Sequence, residues 1–143
     1  MPLIIGSKEL LPAIARSVNT TAIFLMKQFW PGPLTLIFPA KDTLSEFITA
    51  GTGKVAVRIP GESFALDLAR YCCFPFTATS ANPSGMPPAQ NAETVKIFFG
   101  EKIDLIVDCG PAAGLLPSTI VDVAGDEIKI LREGVLKQEL LIP

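Results

Sequence analysis

The side chains of this 143-residue chain that could do chemistry are hydroxyls, amides and cations set among prolines and glycines. There is no histidine. That excludes Ser-His-Asp and Cys-His nucleophilic catalysis and removes the commonest ligand of a protein-built zinc site. Chemistry here must come from positioning and charge: Lys, Arg, hydroxyls, backbone N–H groups and a Mg2+ ion borne by a ligand. Such groups are densest in Thr77–Gln90, TATSANPSGMPPAQ, which follows the apolar run Tyr71–Phe76. Small polar side chains let a ligand approach the backbone, and the prolines fix φ and stiffen the loop. An ordinary connection has the same composition, so the order of the residues has to separate the two readings.

Read singly, each candidate also has an ordinary role. Arg58 lies in Val55–Ile59 and by period-two alternation shares a face with Ala56 and Pro60, opposite the valines. A solvated surface arginine is the common explanation. Ser80 suits a turn cap, and Asn82 suits an Asx-turn while being able to donate and accept. Ser118 and Thr119 follow a proline, where turn hydrogen bonding is the plain role. Arg132 ends the last strand, within reach of Asp122 or Asp126. Lys54 reads as a solvated lysine, Asp104 and Asp108 as structural, Cys72 and Cys73 as buried hydrophobes, and Trp30 as packing.

The elements that must position these groups follow from the hydrophobic pattern. Leu3–Ile5 is a short strand. A helix starts at Lys8 behind Ser7, or near Leu11 with Pro12 early in it. Thr20 or Thr21 caps the next helix, in which Ala22, Leu25, Met26 and Phe29 recur at helical spacing until Pro31-Gly32-Pro33. Leu34–Phe38 is a strand, Asp42–Ile48 a short helix, and Val55–Ile59 a strand. Ser63 caps a helix to about Tyr71, with Phe64, Leu68 and Tyr71 on one face. Asn91 caps a helix carrying Val95, Phe98 and Phe99 that ends at Gly100. Ile103–Val107 reads as a buried strand, Asp108–Pro117 as a loop and Ser118–Val123 as a strand. Gly125-Asp126 is a hairpin turn into Glu127–Arg132. Interleaved helices and strands that end in a meander predict an α/β fold with a twisted mixed sheet and flanking helices.

Composition narrows the class. Apolar residues make up 49% and charged residues 18%, which is the balance of a globular domain. A formal net charge of -2 argues against a general nucleic-acid coat. No apolar run approaches the roughly 20 residues that span a bilayer, and no secretory leader is visible, so no membrane partner is expected. Three cysteines, two of them adjacent, do not form a disulfide framework and suit a reducing, cytoplasmic setting.

Six segments, in one order, resemble the YrdC/Sua5 family. Phe29–Thr35, FWPGPLT, looks like its W-P-G-P-x-T segment, and Val55–Pro60, VAVRIP, like its V-x-V-R-x-P strand. Thr79–Asn82 followed by Pro83-Ser84-Gly85 resembles its Ser-x-Asn loop, and Asp104–Gly110 its acidic strand end. Pro117–Asp122, PSTIVD, resembles P-S-T-[IV]-V-D, and Ile130–Gly134 resembles I-L-R-x-G with Glu133 in place of the usual proline. Each alone carries little; the ordered set carries the resemblance.

The resemblance implies L-threonylcarbamoyladenylate synthesis from threonine, bicarbonate and ATP, with release of pyrophosphate, for t6A modification of tRNA. It implies Mg2+ arriving with ATP, no side-chain nucleophile, and t6A-transferase proteins as pathway partners. By the same resemblance Arg58, Ser80, Ser118 and Thr35 contact threonine, the arginine fork fitting a carboxylate. Asn82, Arg132, Gln90 and Lys54 contact the nucleotide, although the family usually has Thr where Gln90 stands.

The family's domain ordinarily begins roughly 50 to 60 residues earlier, by comparison with a complete α/β domain. That region holds P-T-[ED]-T-x-Y-G-L and Lys-x-Arg segments implied to hold threonine and triphosphate. Met1–Ile4 resembles the strand that follows them. The expectation is therefore one N-terminally truncated YrdC-like domain over residues 1–143, with weak or no synthase activity alone, because half a phosphate cradle binds poorly. Two readings of other classes stand beside it. One is a double-stranded RNA-binding module using Lys54, Arg58 and Arg132; the other is a non-catalytic remnant that binds a partner through an open sheet edge.

Overall fold

The computed structural model describes residues 1–112, 116–125 and 127–141. Its backbone divides into two compact units, Met1–Ala78 with Leu116–Pro143, and Thr79–Leu115.

The first unit is built on six strands: β1 (Leu3–Ile4), β2 (Leu34–Pro39), β3 (Lys54–Arg58), β4 (Phe76–Thr77), β5 (Thr119–Asp122) and β6 (Lys129–Arg132). They lie in the order β4-β1-β3-β2-β5-β6. β1 with β3 and β2 with β5 are parallel, and the other neighbours are antiparallel, so the sheet is mixed as the meander implied.

Alternation gives this sheet two unlike faces. Leu3, Leu34, Leu36, Phe38, Val55, Val57 and Val121 are buried on one of them. Among the described residues, four α-helices belong to this unit: α1 (Leu11–Ile14), α2 (Thr20–Phe29), α3 (Glu46–Thr49) and α4 (Phe64–Cys72). Ala22, Leu25 and Met26 of α2, Ile14 of α1 and Leu66 of α4 join those strand residues in one core. The opposite face carries the register-matched set Lys54, Ala56 and Arg58 on β3, Thr35 and Ile37 on β2, Ile120 and Asp122 on β5, and Arg132 on β6. Most of these residues are only partly buried, so the second face is where polar groups collect.

Several local expectations are revised. α2 is capped by Asn19, not by either threonine: Asn19 Oδ1 accepts from the Ala22 amide at 2.8 Å. Asn19 also donates to the Val123 carbonyl at 2.9 Å, a long-range bond that no local pattern encodes. In α4 the stripe Phe64, Leu68 and Tyr71 is exposed, Tyr71 at 90%, and the buried side is Leu66 and Ala69. Periodicity finds an apolar stripe but not the side that meets the sheet. Here Gly6 decides: a Cβ on it would lie 2.6 Å from the backbone of Ala69, so the helix seats on its Ala69 side. Cys72 is half-buried and Cys73 exposed, in a left-handed C-cap, rather than both buried.

In the second unit α5 (Ala92–Phe99) is capped as expected, Asn91 Oδ1 accepting from the Thr94 amide at 2.8 Å, and Gly100 closes it with φ +53. Ile103–Val107 is not a buried strand. It has no ladder partner among the described residues, and Leu105 is 78% exposed. Apolar content marked it as a strand, but a strand also needs a neighbour's backbone groups. Asp126 of the predicted hairpin turn lies outside the described residues.

Candidate functional site

The polar face of the sheet gathers four of the predicted side chains at one end. Thr35 sits on β2 with its side chain buried at 1% exposure. Its hydroxyl lies 2.9 Å from that of Ser118, just before β5. Arg132, at the end of β6, donates from Nε and Nη2 to the Ser118 carbonyl oxygen at 3.1 and 2.9 Å, and from Nη2 to Ser118 Oγ at 3.2 Å. Arg132 therefore pairs with Ser118, not with Asp122.

Arg58 completes the group. It is half-buried, and Nε donates to the Gly32 carbonyl at 2.9 Å. That carbonyl is presented by the Pro31-Gly32-Pro33 turn. Glycine is required there, since a Cβ on Gly32 would lie 2.5 Å from the Phe29 oxygen. The terminal guanidinium nitrogens of Arg58 bond to no described residue, so one edge of the fork is unspent. Burial first, and the positive charge of Arg132 second, hold the Arg58 guanidinium below its ordinary pKa. Neither arginine has a carboxylate partner among the described residues. Two guanidiniums that feel one another, beside two hydroxyls, have the chemistry to bind an anion.

Lys54 is placed elsewhere. Its ammonium lies 2.6 Å from Asp122 Oδ2, across β2 from β3 to β5. It is four residues from Arg58, about 13 Å along an extended strand. Asp122 is 8% exposed and also accepts from the Ala124 amide at 2.9 Å. Burial pushes its carboxyl up, but the bonds from Lys54 and Ala124 and the charges of Lys54 and Lys129 outweigh that and leave it below its ordinary value. Lys54 and Asp122 thus make a cross-strand tie at the other end of the face.

The remaining candidates belong to the Thr79–Leu115 unit. Ser80 Oγ donates to Asn82 Oδ1, and Asn82 Nδ2 donates to the Pro83 and Met86 carbonyls at 3.0 and 2.6 Å. Ala81 between them has φ +52, and its amide donates to Thr79 Oγ1 at 3.1 Å. The turn is thus cross-linked through its own side chains, with Ser80 exposed. Gln90 is exposed, bonds Pro88 through Nε2 at 3.3 Å, and edges a cleft of about 200 Å³ that Asn91, Val95 and Asp108 also line.

One residue of consequence had been read only as a turn former. Thr119 is fully buried, and its hydroxyl joins β5 to the segment after β6. Alternation offers the signal: Thr119 shares the apolar face with Val121, and a hydroxyl buried there must find partners. Among the described residues no group of three or more Cys, Asp or Glu is placed to hold a metal ion, and no helix is long and apolar enough to cross a membrane.

Comparison with known proteins bears on the family and the fold. Threonylcarbamoyl-AMP synthase of Pyrococcus abyssi is 39% identical over 140 residues, covering 96% of this chain and 41% of that protein. The Bacillus subtilis protein of the same name is 45% identical over 116 residues, covering 80% of this chain and 34% of that one. The chain thus spans well under half the length of these relatives. The crystal structure of P. abyssi Sua5 complexed with L-threonine superposes with a TM-score of 0.91 at 39% identity, over 98% of this chain and 42% of that one. Escherichia coli YciO shares the fold, with a TM-score of 0.79 at 23% identity, over 99% of this chain and 68% of that one. A family model named for Sua5, YciO and YrdC, and described as telomere recombination, matches residues 1–134. With the ordered motifs, the mixed sheet and this match in agreement, the chain belongs to the Sua5/YciO/YrdC family.

Proposed function

We propose that the chain serves threonylcarbamoyl-AMP synthesis, binding threonine and ATP on the polar face of its sheet. The observation that carries this reading is the unspent guanidinium edge of Arg58 beside Arg132, with the Thr35 and Ser118 hydroxyls in the same cluster. In this reading Arg58 takes the threonine carboxylate, with Ser118 and Thr35 as its hydroxyl partners. Arg132 takes a phosphate of ATP.

The chemistry asks little of the protein beyond placement. Threonine's amine adds to the carbon of bicarbonate and, with loss of water, gives a carbamate. A carbamate oxygen attacks the α-phosphorus of ATP, the bond to the bridging oxygen breaks, and pyrophosphate leaves. Mg2+ carried by ATP supplies charge neutralisation. Arg58 fixes the carboxylate so that the carbamate faces the nucleotide, and Arg132 offsets charge that builds on the phosphate oxygens. The product would serve t6A modification of tRNA in the cytoplasm, through transferase partners.

The test is thermal unfolding with L-threonine, MgATP or both, followed by mass spectrometry for threonylcarbamoyl-AMP after bicarbonate is added. Saturating ligand at about 100 times its dissociation constant should add about 2.7 kcal/mol of stability. No shift with either ligand would overturn the reading. Salt-dependent binding of duplex RNA in place of such a shift would favour an RNA-binding module.

A further inference from the structure

We propose that Thr119 is a positioning residue that sets the anion-binding geometry of Arg132 and Ser118, an inference that rests on the ligand-binding reading above. Its side chain is fully buried in the first unit. The hydroxyl accepts from the Gly134 and Leu136 amides, each at 3.0 Å, and donates to the Leu136 carbonyl at 2.8 Å. One donor and two acceptor sites are all a hydroxyl has, so the group is saturated.

The location gives this its meaning. The β5–β6 ladder pairs Ile120 with Arg132, and its register shifts between Ile120 and Val121. One residue earlier on β5, and just beyond Arg132 on the other strand, the Thr119 hydroxyl takes over from the ladder and ties the two chains together. Main chain closes the same junction: the Val135 amide donates to the Pro117 carbonyl at 3.1 Å. A Cβ on Gly134 would stand 2.1 Å from that Pro117 oxygen and 2.9 Å from the Ser118 oxygen. The backbone on either side of Arg132 and Ser118 is therefore clamped. Arg132 then reaches its place by bonding the Ser118 carbonyl and hydroxyl. Thr119 touches no proposed ligand atom; it fixes how far the Arg132 guanidinium stands from the Ser118 hydroxyl.

Thr119→Val removes the hydroxyl at nearly constant shape, and Thr119→Ser keeps it. Two readouts go beyond stability: MgATP affinity by calorimetry, and the Arg132 Nε–H resonance of the free protein, assigned by its loss in Arg132→Lys. We expect Thr119→Val to weaken MgATP binding about tenfold or more and to displace the Arg132 resonance. Thr119→Ser should stay within about threefold and keep the resonance in place. A Thr119→Val protein that melts lower yet retains both the resonance and the affinity would overturn the proposal, since the threonine would then only stabilise the fold. If wild type binds no MgATP, the functional reading fails, and the resonance in the free protein still decides the role of Thr119. If Thr119→Val does not fold, hydrogen exchange in wild type decides it. Protected Gly134 and Leu136 amides support the clamp, and exchange at the rate of open loop amides overturns it.

Discussion

The hydroxyls of Thr35 and Ser118 lie 2.9 Å apart, joining β2 to the residue before β5 on the face that carries both arginines. Two O–H groups share one hydrogen bond, so one proton is left over. Ser118 Oγ already accepts from Arg132, and no described residue accepts the spare proton. In the proposed reading a ligand oxygen accepts it. Ser118→Ala removes one member of the pair and should weaken threonine binding about tenfold, the usual worth of a hydrogen bond to a charged group. Thr35→Val should act in the same direction. Calorimetric titration of both single variants and of the double variant checks this, and additive losses would show that the hydroxyls act separately rather than as a pair.

The Lys54–Asp122 tie predicts a pH dependence. The folded pKa of Asp122 lies below its ordinary value of 3.8. A carboxyl so depressed contributes stability that is present above the unfolded pKa and lost as pH falls through the folded one. The loss therefore begins below about pH 4 and continues to lower pH. Lys54 is 44% exposed, which limits the pair to about 1 kcal/mol or less at neutral pH. Urea unfolding at pH 7 and pH 3 should show a smaller difference in Lys54→Met than in wild type.

Gly134→Ala should destabilise the first unit by about 1–3 kcal/mol. The atom that the new Cβ meets is the Pro117 carbonyl oxygen at 2.1 Å, which is backbone and has no rotamer to yield. Urea unfolding measures the cost. A change below about 0.5 kcal/mol, the range of a neutral surface substitution, would contradict the close approach.

Much of this was legible in the sequence, for reasons that differ by residue. Alternation in Val55–Ile59 put Arg58 opposite the core, and the valines are buried as read. Asn91, Ser63 and the Pro31–Pro33 stop act within a few residues of themselves, so pattern sufficed. Asn19 is the counter-example: its tie to Val123 spans the chain, and the nearby threonines looked like equally good caps. The α4 stripe was found, but which side of the helix meets the sheet is set by Gly6, distant in sequence. Ile103–Val107 has strand composition without a neighbour to pair with among the described residues. At the site, the motif order named Arg58, Ser118 and Arg132. That Arg132 binds Ser118 while Lys54 is taken by Asp122 depends on register, which single positions do not encode.

The central claim is that Arg58 and Arg132 form a working anion receptor, and calorimetric titration of L-threonine into wild type and Arg58→Met tests it most directly. The account predicts measurable binding to wild type and at least a tenfold loss in Arg58→Met, with the fold retained by circular dichroism. Equal threonine affinity in the two proteins would contradict it.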